Sequence, residues 1–532
     1  MTNVDPPPLF RGAHSRRSVL KYALALGAGT ALAGFGTTAC ATPTGLPGPG
    51  TLNLALNRSL VSLDNKLNQF DAAVTVQRAV RQGLTRLTPD LRVEPVLAES
   101  FQLTAPTEWT VRLRPEIRYS DNSPVQVEDV AVALQCYRDT KGSFLAAFFP
   151  EWPRVVKVDD RTFRMQTDAP LPILDYLMAN ILITPAAANK AEELQSGVGT
   201  GPYVVAEADR GAGNYLLAAN PSFWGPKPTV DRIQVRFLPS ESSRVVSLRS
   251  GEIDVIDSIT PDSIEQLRGL PGVAIESKPG TRLTHLFYNF RKPPGHPLAD
   301  PRVREALTYA INGDALIKDV LQGAVVPVTG VLPPDLTGAA QVGTYRYDPA
   351  KARQMLDAAG VRDLEVKIIW ESGEFAGDTQ VMEAVYQMLG AVGVRASLQQ
   401  FEPGGDISNW RQGKAGDWDV VANGYPSPTG LAVTIMQGMY AGTPKKEETR
   451  DTYHGYIVPE VTTLISQASS EPDAARRADL LNRAQQAIWD TWPAMWAFAP
   501  KAVTARRDRV TGMTLGANNS YDLTAIRLAA KA

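Results

Sequence analysis

Residues 233–256 read Ile233-Gln-Val-Arg-Phe-Leu-Pro-Ser-Glu-Ser-Ser-Arg-Val-Val-Ser-Leu-Arg-Ser-Gly-Glu-Ile-Asp-Val-Ile256, and they indicate the fold class. The first six residues alternate apolar and polar side chains, which predicts a β-strand. Residues 240–250 predict a helix, because Gly251 follows them as a C-terminal stop. Residues 253–256 predict a second, short strand. A strand, a helix and a strand in this order form a βαβ unit, which favours parallel pairing and a right-handed crossover.

The same order of elements returns in the second half of the chain. Residues 364–369 and 394–401 predict strands. Between them, five apolar residues fall on one helical face: Val381, Met382, Val385, Tyr386 and Leu389. Two α/β regions in a chain of 532 residues predict two lobes, because this length exceeds one ordinary hydrophobic core.

Two segments are candidates for links between the lobes. Residues 283–290 form a strand-like run that is long enough to cross from one lobe to the other. Residues 494–499 are a second apolar strand candidate, which would return the chain. Two crossings of this kind predict a hinge.

The N-terminal residues predict export from the cytoplasm. Arg16-Arg17 precedes an uncharged run rich in Ala and Gly, which resembles a twin-arginine export signal. The run ends in small residues before Cys40, as in bacterial lipoproteins, whose cysteine takes the lipid. Residues 1–40 are therefore predicted to be a lipoprotein signal peptide, and residues 41–50 a flexible linker. An uncleaved signal anchor is the alternative.

The composition argues against several other classes of protein. Lys and Arg number 54 and Asp and Glu 56, a balance that gives no reason to expect nucleic acid as a partner. Besides Cys40 the chain has one cysteine, Cys136, which cannot form an internal disulfide. No His-Glu-x-x-His, Gly-x-Ser-x-Gly or Walker motif occurs, and the four histidines lack metal-ligand spacing. The pattern favours a binding protein without cofactor or metal over an enzyme.

A set of segments that follow one another along the chain carries a resemblance to a known family: residues 95–100, 109–114, 119–125, 128–130, 199–203, 220–224, 250–254, 300–311, 348–352 and 359–360. Together they resemble the large extracytoplasmic solute-binding proteins of family 5, which serve ABC importers of peptides, nickel chelates and related ligands. The segments are mostly structural, so they identify the fold better than the ligand.

The resemblance implies a two-lobed α/β clamp of the periplasmic-binding-protein type II class, with an enlarged first lobe and two hinge crossings. Lobe I would comprise residues 51–280, with an extra subdomain at about 86–196, and would be completed by residues 499–532. Lobe II would comprise residues 281–498. Ligand would bind between the lobes and favour their closure. The partners would be a membrane permease and its cytoplasmic ATPase, and the protein itself would be a monomer.

The ligand is less well determined than the fold. In peptide-binding relatives, an acidic residue follows a strand that resembles residues 417–424, commonly in an Asp-Pro turn, and pairs with the free amino group of the ligand. Ser427-Pro428 occupies that place here, and serine cannot supply the charge. An ordinary peptide, a modified or blocked peptide, and a sugar-containing or otherwise uncharged ligand therefore stay open. Glu371 could be the displaced anion.

The residues expected to face the cleft lie at strand ends on both sides of the hinge, where aromatic walls and a few polar anchors suit an adaptable site. They are Asn423, Tyr425, Ser427, Trp410, Trp418, Trp370 and Glu371 from lobe II, Asn289 and Arg291 after the crossing strand, and Asn68 and Phe70 from lobe I. A structural role is the alternative for each of them: Trp418 could be core, and Arg291 could form a surface ion pair.

The sequence thus predicts the extracytoplasmic substrate-binding component of an ABC importer, which captures a peptide or peptide-like solute. It would be anchored as a lipoprotein to the outer face of the cell membrane. Two alternatives stay open. A regulatory or envelope solute sensor would keep the same fold and signal to another membrane protein. An exported enzyme is the other, because twin-arginine export often carries proteins that fold with cofactors aboard.

Overall fold

The computed structural model of the chain describes residues 50–60, 62–67, 71–188, 197–442 and 452–529. The strands of these residues are, in chain order, β1 Thr51–Leu56, β2 Thr85–Leu87, β3 Val93–Pro95, β4 Ala98–Ala105, β5 Glu108–Leu113, β6 Arg154–Lys157, β7 Thr162–Gln166, β8 Tyr203–Asp209, β9 Asn214–Ala219, β10 Arg232–Phe237, β11 Val255–Asp257, β12 Val273–Pro279, β13 Leu283–Tyr288, β14 Val325–Pro327, β15 Glu365–Glu371, β16 Arg395–Phe401, β17 Val420–Tyr425, β18 Ala494–Arg507, β19 Val510–Thr511, β20 Thr514–Leu515, β21 Tyr521–Asp522 and β22 Arg527–Leu528.

The α-helices of five or more residues in the same part of the chain are α1 Asp71–Val80, α2 Val127–Asp139, α3 Leu174–Met178, α4 Glu241–Ser250, α5 Pro261–Leu267, α6 Pro301–Tyr309, α7 Pro349–Ala358, α8 Asp378–Ala391, α9 Ile407–Arg411, α10 Ala432–Tyr440, α11 Pro459–Ser470 and α12 Ala474–Trp489. The mixed α/β class is therefore confirmed.

Twelve of the described strands form one sheet in which the predicted parallel units are found. Its order is β16-β15-β17-β13-β18-β11-β1-β10-β9-β8, with β12 and β14 paired to β18. β1 runs parallel to β10 and β11, and β15 runs parallel to β16 and β17. We call β1 with β8–β12 the first half-sheet and β13–β17 the second half-sheet. The long strand β18 pairs with strands of both.

The chain passes between the half-sheets at two places. Residues 280–282 join β12 to β13, and β18 continues without a break through Pro500 and Lys501. Residues 283–290, which are predicted to cross between the lobes, do not make the crossing themselves. All six residues of β13 pair with β17, so this strand belongs to the second half-sheet and the crossing lies just before it. The lobe bounds given above stay predictions.

Local signals explain the helix of the first βαβ unit. The Ser240 side chain accepts a hydrogen bond from the Ser243 amide at the start of α4, and Gly251 ends the helix with φ of 77°. The prediction that Tyr386 shares the buried apolar face of α8 is wrong. Tyr386 is 43 % exposed, because it lies about 100° around the helix from the buried Val385, beyond the face that packs on the sheet.

A smaller antiparallel sheet, in the order β4-β5-β7-β6, packs with α2 and α3. Its apolar side chains share one hydrophobic core with those of α10, α11 and α12, which follow the second half-sheet. We call this sheet with α2 and α3 the small unit. It lies within the predicted extra subdomain and contacts the second half of the chain directly.

A buried ion pair attaches the C-terminal segment to the first half-sheet. Arg509 donates from Nε to Asp254 Oδ1 and from Nη2 to Asp254 Oδ2, both at 2.6 Å. Asp254 Oδ2 also accepts from the Asn53 amide in β1 at 2.9 Å. The Arg509 and Asp254 side chains are 10 % and 1 % exposed, so the charges neutralise each other away from water.

Candidate functional site

The order of the strands identifies two crevices. The chain places β16 on one side of β15 and β17 on the other, so the connections diverge at the carboxyl end of β15. Ligands of open α/β sheets bind at such a point. The loops after Glu371 and Tyr425 meet there. The first half-sheet repeats the arrangement around β1, where the Asn57 amide donates to Asp257 Oδ1 at 2.9 Å.

A hydrogen-bonded group of side chains lies at the end of β17. The hydroxyl of Tyr453 accepts from Asn423 Nδ2 at 3.1 Å and lies 2.9 Å from His285 Nε2. Arg411 Nη1 donates to Asn423 Oδ1 at 2.8 Å. The Tyr425 ring meets the Tyr453 ring edge-on, with 5.4 Å between their centroids. These contacts join three separate segments of the chain into one surface.

An ion pair adjoins this group. The guanidinium of Arg282, at the crossing, pairs with the carboxylate of Glu374, in the loop after β15. Arg282 lies flat against β17, since a Cβ at position 424 would fall 2.3 Å from its Nε, which explains Gly424. Burial raises the pKa of Tyr453, and the charges of Arg411, Glu374 and Arg282 act on the same hydroxyl. We call Arg282, His285, Glu374, Arg411, Asn423, Tyr425 and Tyr453 the Tyr453 cluster.

Burial decides which members of the Tyr453 cluster are charged. It raises the pKa of the Tyr425 phenol to about 12. Burial, together with a smaller contribution from the charge of Arg282, lowers the pKa of His285 to about 3. Both side chains are therefore neutral at pH 7 and act as hydrogen-bonding surfaces. The two arginines and Glu374 carry the charge of the cluster.

Two residues from the connections that flank the small unit touch the end of β17 and the loop after it. Phe148 meets the Tyr425 ring edge-on, with 6.2 Å between the centroids. Asn180 Nδ2 donates to the Pro428 carbonyl at 3.0 Å, and its Oδ1 accepts from Arg78 Nη2 at 3.2 Å. Phe148 and Asn180, from the first half of the chain, thus cover the crevice after β15 and β17.

Four of the predicted site residues lie at this crevice. Asn423 and Tyr425 belong to the Tyr453 cluster, and Glu371 ends β15 beside the loop that carries Glu374. Ser427 is buried, and its hydroxyl donates to the Leu431 carbonyl at 3.3 Å, so it shapes the turn.

The other described residues of the predicted set have packing or supporting contacts. Trp410 packs edge-on against Phe401, and Trp418 is 1 % exposed with its Nε1 donating to the Trp410 carbonyl at 2.7 Å. Asn289 Nδ2 donates to the Trp418 carbonyl at 2.9 Å. Trp370 is buried in the core beneath α6 and α8.

Arg291 is half-buried and donates to two backbone carbonyls, those of Arg411 at 2.8 Å and Thr452 at 3.1 Å. Through these two bonds it supports the loops beneath the Tyr453 cluster. Five predicted residues lie outside the described part of the chain: Arg16, Arg17, Cys40, Asn68 and Phe70.

Sequence reasoning missed five members of the cluster: Arg282, His285, Glu374, Arg411 and Tyr453. His285 had a usable signal, because it is a titratable residue in a mostly apolar strand, and the structure pairs it with Asn423. Arg282, Glu374 and Tyr453 had none, since they come from loops far apart in the chain.

Two further observations concern metals and membranes. Within the described ranges, His, Cys, Asp and Glu side chains nowhere gather in threes that could hold a metal ion. None of the helices described above has the length and apolar character to cross a membrane.

Known proteins with similar sequences identify the family of the chain. The family model for bacterial extracellular solute-binding proteins, family 5 Middle, matches residues 92–447. The glutathione-binding protein GsiB of Escherichia coli (strain K12) is 26 % identical over 463 residues, which cover 84 % of this chain and 89 % of that protein.

Two solved structures have the same fold. The ABC transporter substrate-binding protein CtaP of Listeria monocytogenes superposes with a TM-score of 0.80 at 20 % identity, covering 90 % of this chain and 99 % of that one. DppA of Helicobacter pylori, in complex with the peptide STSA, gives 0.75 at 21 % identity, covering 90 % and 98 %. Both are two-lobed binding proteins, so the predicted two-lobed fold is confirmed. Because the family model matches more than half of its length, the chain belongs to the bacterial extracellular solute-binding proteins of family 5.

Proposed function

We propose that this protein captures a peptide or peptide-like solute between its lobes and delivers it to the permease of an ABC importer. Substrate binding for an importer is the role of its family. The observation that supports a peptide-like ligand is the Tyr453 cluster, which combines aromatic faces and hydrogen-bonding groups with Arg282, Arg411 and Glu374. Such a surface suits a small polar ligand that carries charges of both signs. The relatives that bind glutathione and the peptide STSA support the same class.

The proposed mechanism is a shift between open and closed forms. A ligand that touches both lobes favours the closed form by its differential contacts. The closed form would dock on the permease, and a cytoplasmic ATPase would supply the energy for transport. The protein would break no bond. Its relatives are binding proteins, which agrees with this role.

Native mass spectrometry of the protein purified from its own host tests this function. We expect a retained small molecule, and we expect small-angle scattering to show compaction when that molecule is added back to stripped protein. Conversion of the molecule into a product would contradict the proposal, and so would the absence of compaction with every solute offered.

Asn180→Ala should shift the ligand-free protein toward the open form. The substitution removes the hydrogen bond to the Pro428 carbonyl, which is worth about 0.5–1.5 kcal/mol and hence a few-fold in the open-to-closed ratio. The radius of gyration from small-angle scattering should rise. Asn482→Ala, on the exposed face of α12, is the matched control. An unchanged radius for Asn180→Ala would show that this contact does not hold the closed form.

We further propose that the protein is a monomer, exported through the twin-arginine route and held by lipid on Cys40. Cys40→Ala should then release the protein from membranes, because the small residues before Cys40 are typical of a lipoprotein signal. Fractionation with immunoblotting measures this. Cys136→Ala, which changes the half-buried cysteine of α2, should stay with the membrane fraction. Retention of both variants would favour an uncleaved signal anchor.

A further inference from the structure

We infer that the Arg282–Glu374 pair recognises an α-amino-acid head group, that is, a ligand carbon that carries both a free ammonium and a free carboxylate. The inference rests on the proposed function and names the substrate class of that site. Arg282 would bind the carboxylate of the ligand and Glu374 its ammonium. The class includes γ-linked peptides and side-chain conjugates of amino acids, whereas an ordinary peptide carries these two charges at opposite ends.

The position of the pair supports this role. Glu374 lies in the loop after β15 and Arg282 precedes β13, so both lie at the crevice where the connections of β15 and β17 diverge. Ser427, at the expected place of an anion, is buried and bonded to the Leu431 carbonyl. The Tyr453 cluster therefore has its carboxylate at Glu374, in the loop after the neighbouring strand β15.

The charges of the pair select for a zwitterionic head group. Arg282 pairs with Glu374, whose side chain is only 12 % exposed. A lone ammonium that took Glu374 would leave the guanidinium without a counter-charge, and a lone carboxylate on Arg282 would leave Glu374 unpaired. An adjacent ammonium and carboxylate form an alternating square of four charges with the pair. Arg282 and Glu374 then each keep a counter-charge in the closed cleft, which is the condition for a favourable buried ion pair.

Two further features make Arg282 a suitable carboxylate ligand. Its guanidinium lies against the backbone of β17, where Gly424 leaves room for it, so its orientation is fixed before ligand binds. Its Nε is buried and has no hydrogen-bond partner among the described residues. A carboxylate beside the guanidinium would give this donor a partner.

Two isomeric dipeptides test the inference by titration calorimetry. γ-Glutamylglycine has an α-amino-acid head group, while α-glutamylglycine has the same atoms and net charge but separates its terminal ammonium and carboxylate. We expect the γ isomer to bind the native protein at least about tenfold more tightly. Glu374→Gln should remove this preference, and Glu374→Asp should restore part of it. Glu383→Gln, on the exposed side of α8, is the control for loss of one negative charge nearby.

Three outcomes would overturn the inference: equal affinities for the isomers, a preference that survives Glu374→Gln, or a preference that is lost in Glu371→Gln instead. If neither isomer binds and the solute retained from the host lacks the head group, the inference fails while the proposed function stands. If the protein neither retains nor binds any solute, the proposed function itself fails.

Discussion

Arg509→Ala should lower the free energy of unfolding by about 3–5 kcal/mol, the largest effect that we expect from a single substitution. The variant leaves Asp254 ionised and 1 % exposed, with the backbone and side-chain amides of Asn53 as its remaining described partners. It also removes the hydrogen bond that Arg509 Nη2 donates to the Thr51 carbonyl at 3.1 Å. The residues after β18 would then lose their side-chain bonds to Asp254 and to the Thr51 carbonyl.

Urea denaturation followed by tryptophan fluorescence measures the loss. Arg483→Ala is the matched control, because Arg483 on α12 forms an exposed pair with Asp479, and such pairs contribute about 1 kcal/mol or less. If the two variants were equally stable, the Arg509–Asp254 pair would not be an anchor of the first half-sheet. A change in the slope of the transition would indicate partial unfolding of that half alone.

Tyr425→Ala should weaken ligand binding by about tenfold or more while the chain stays folded. The Tyr425 ring is the point at which the two sides of the cleft meet, since it contacts Tyr453 on one side and Phe148 on the other. Each aromatic pair contributes about 0.5–1.5 kcal/mol beyond the area that it buries. The loss of both contacts therefore lowers the affinity and the stability of the closed form together.

Calorimetry with the solute retained from the host gives the affinity, and thermal unfolding gives the fold. Tyr425→Phe keeps the ring and should lose less than Tyr425→Ala. Tyr386→Ala, at an exposed position of α8, is the control for loss of a tyrosine. An affinity that is unaltered by Tyr425→Ala would remove this residue from the site.

Much of the fold could be predicted because its signals are local. The alternation of residues 233–238 and the Gly251 stop after α4 depend on neighbours in the sequence, and the structure has a strand and a helix end there. The length of β18 had no such signal. Its apolar run ends near Ala499, and residues 501–507 pair with β12 only because the crossing brings that strand alongside.

The site was predicted in part for the same reason. Asn423 and Tyr425 end a strand, and the end of a strand can be found from the sequence. Trp418 begins the same segment, and only the bond from its indole to the Trp410 carbonyl shows that it faces the core. Glu371 was the expected anion, whereas the carboxylate that is paired is Glu374, because the loop after β15 turns before it reaches Arg282. Such differences depend on how distant loops meet.

The sharing of β18 has a mechanical consequence. Because one unbroken ribbon belongs to both bodies, they cannot slide past each other and have to move by torsion of that ribbon. Pro500 has no amide hydrogen to donate, so flexure there disrupts the fewest ladder bonds, while Lys501 stays tied to the Ala324 carbonyl at 2.9 Å. The pivot would thus lie in the backbone of β18, whereas the proposed ligand contacts lie in loops after other strands. Substitutions in those loops could then change the ligand preference while β18, which governs the closing motion, stays the same.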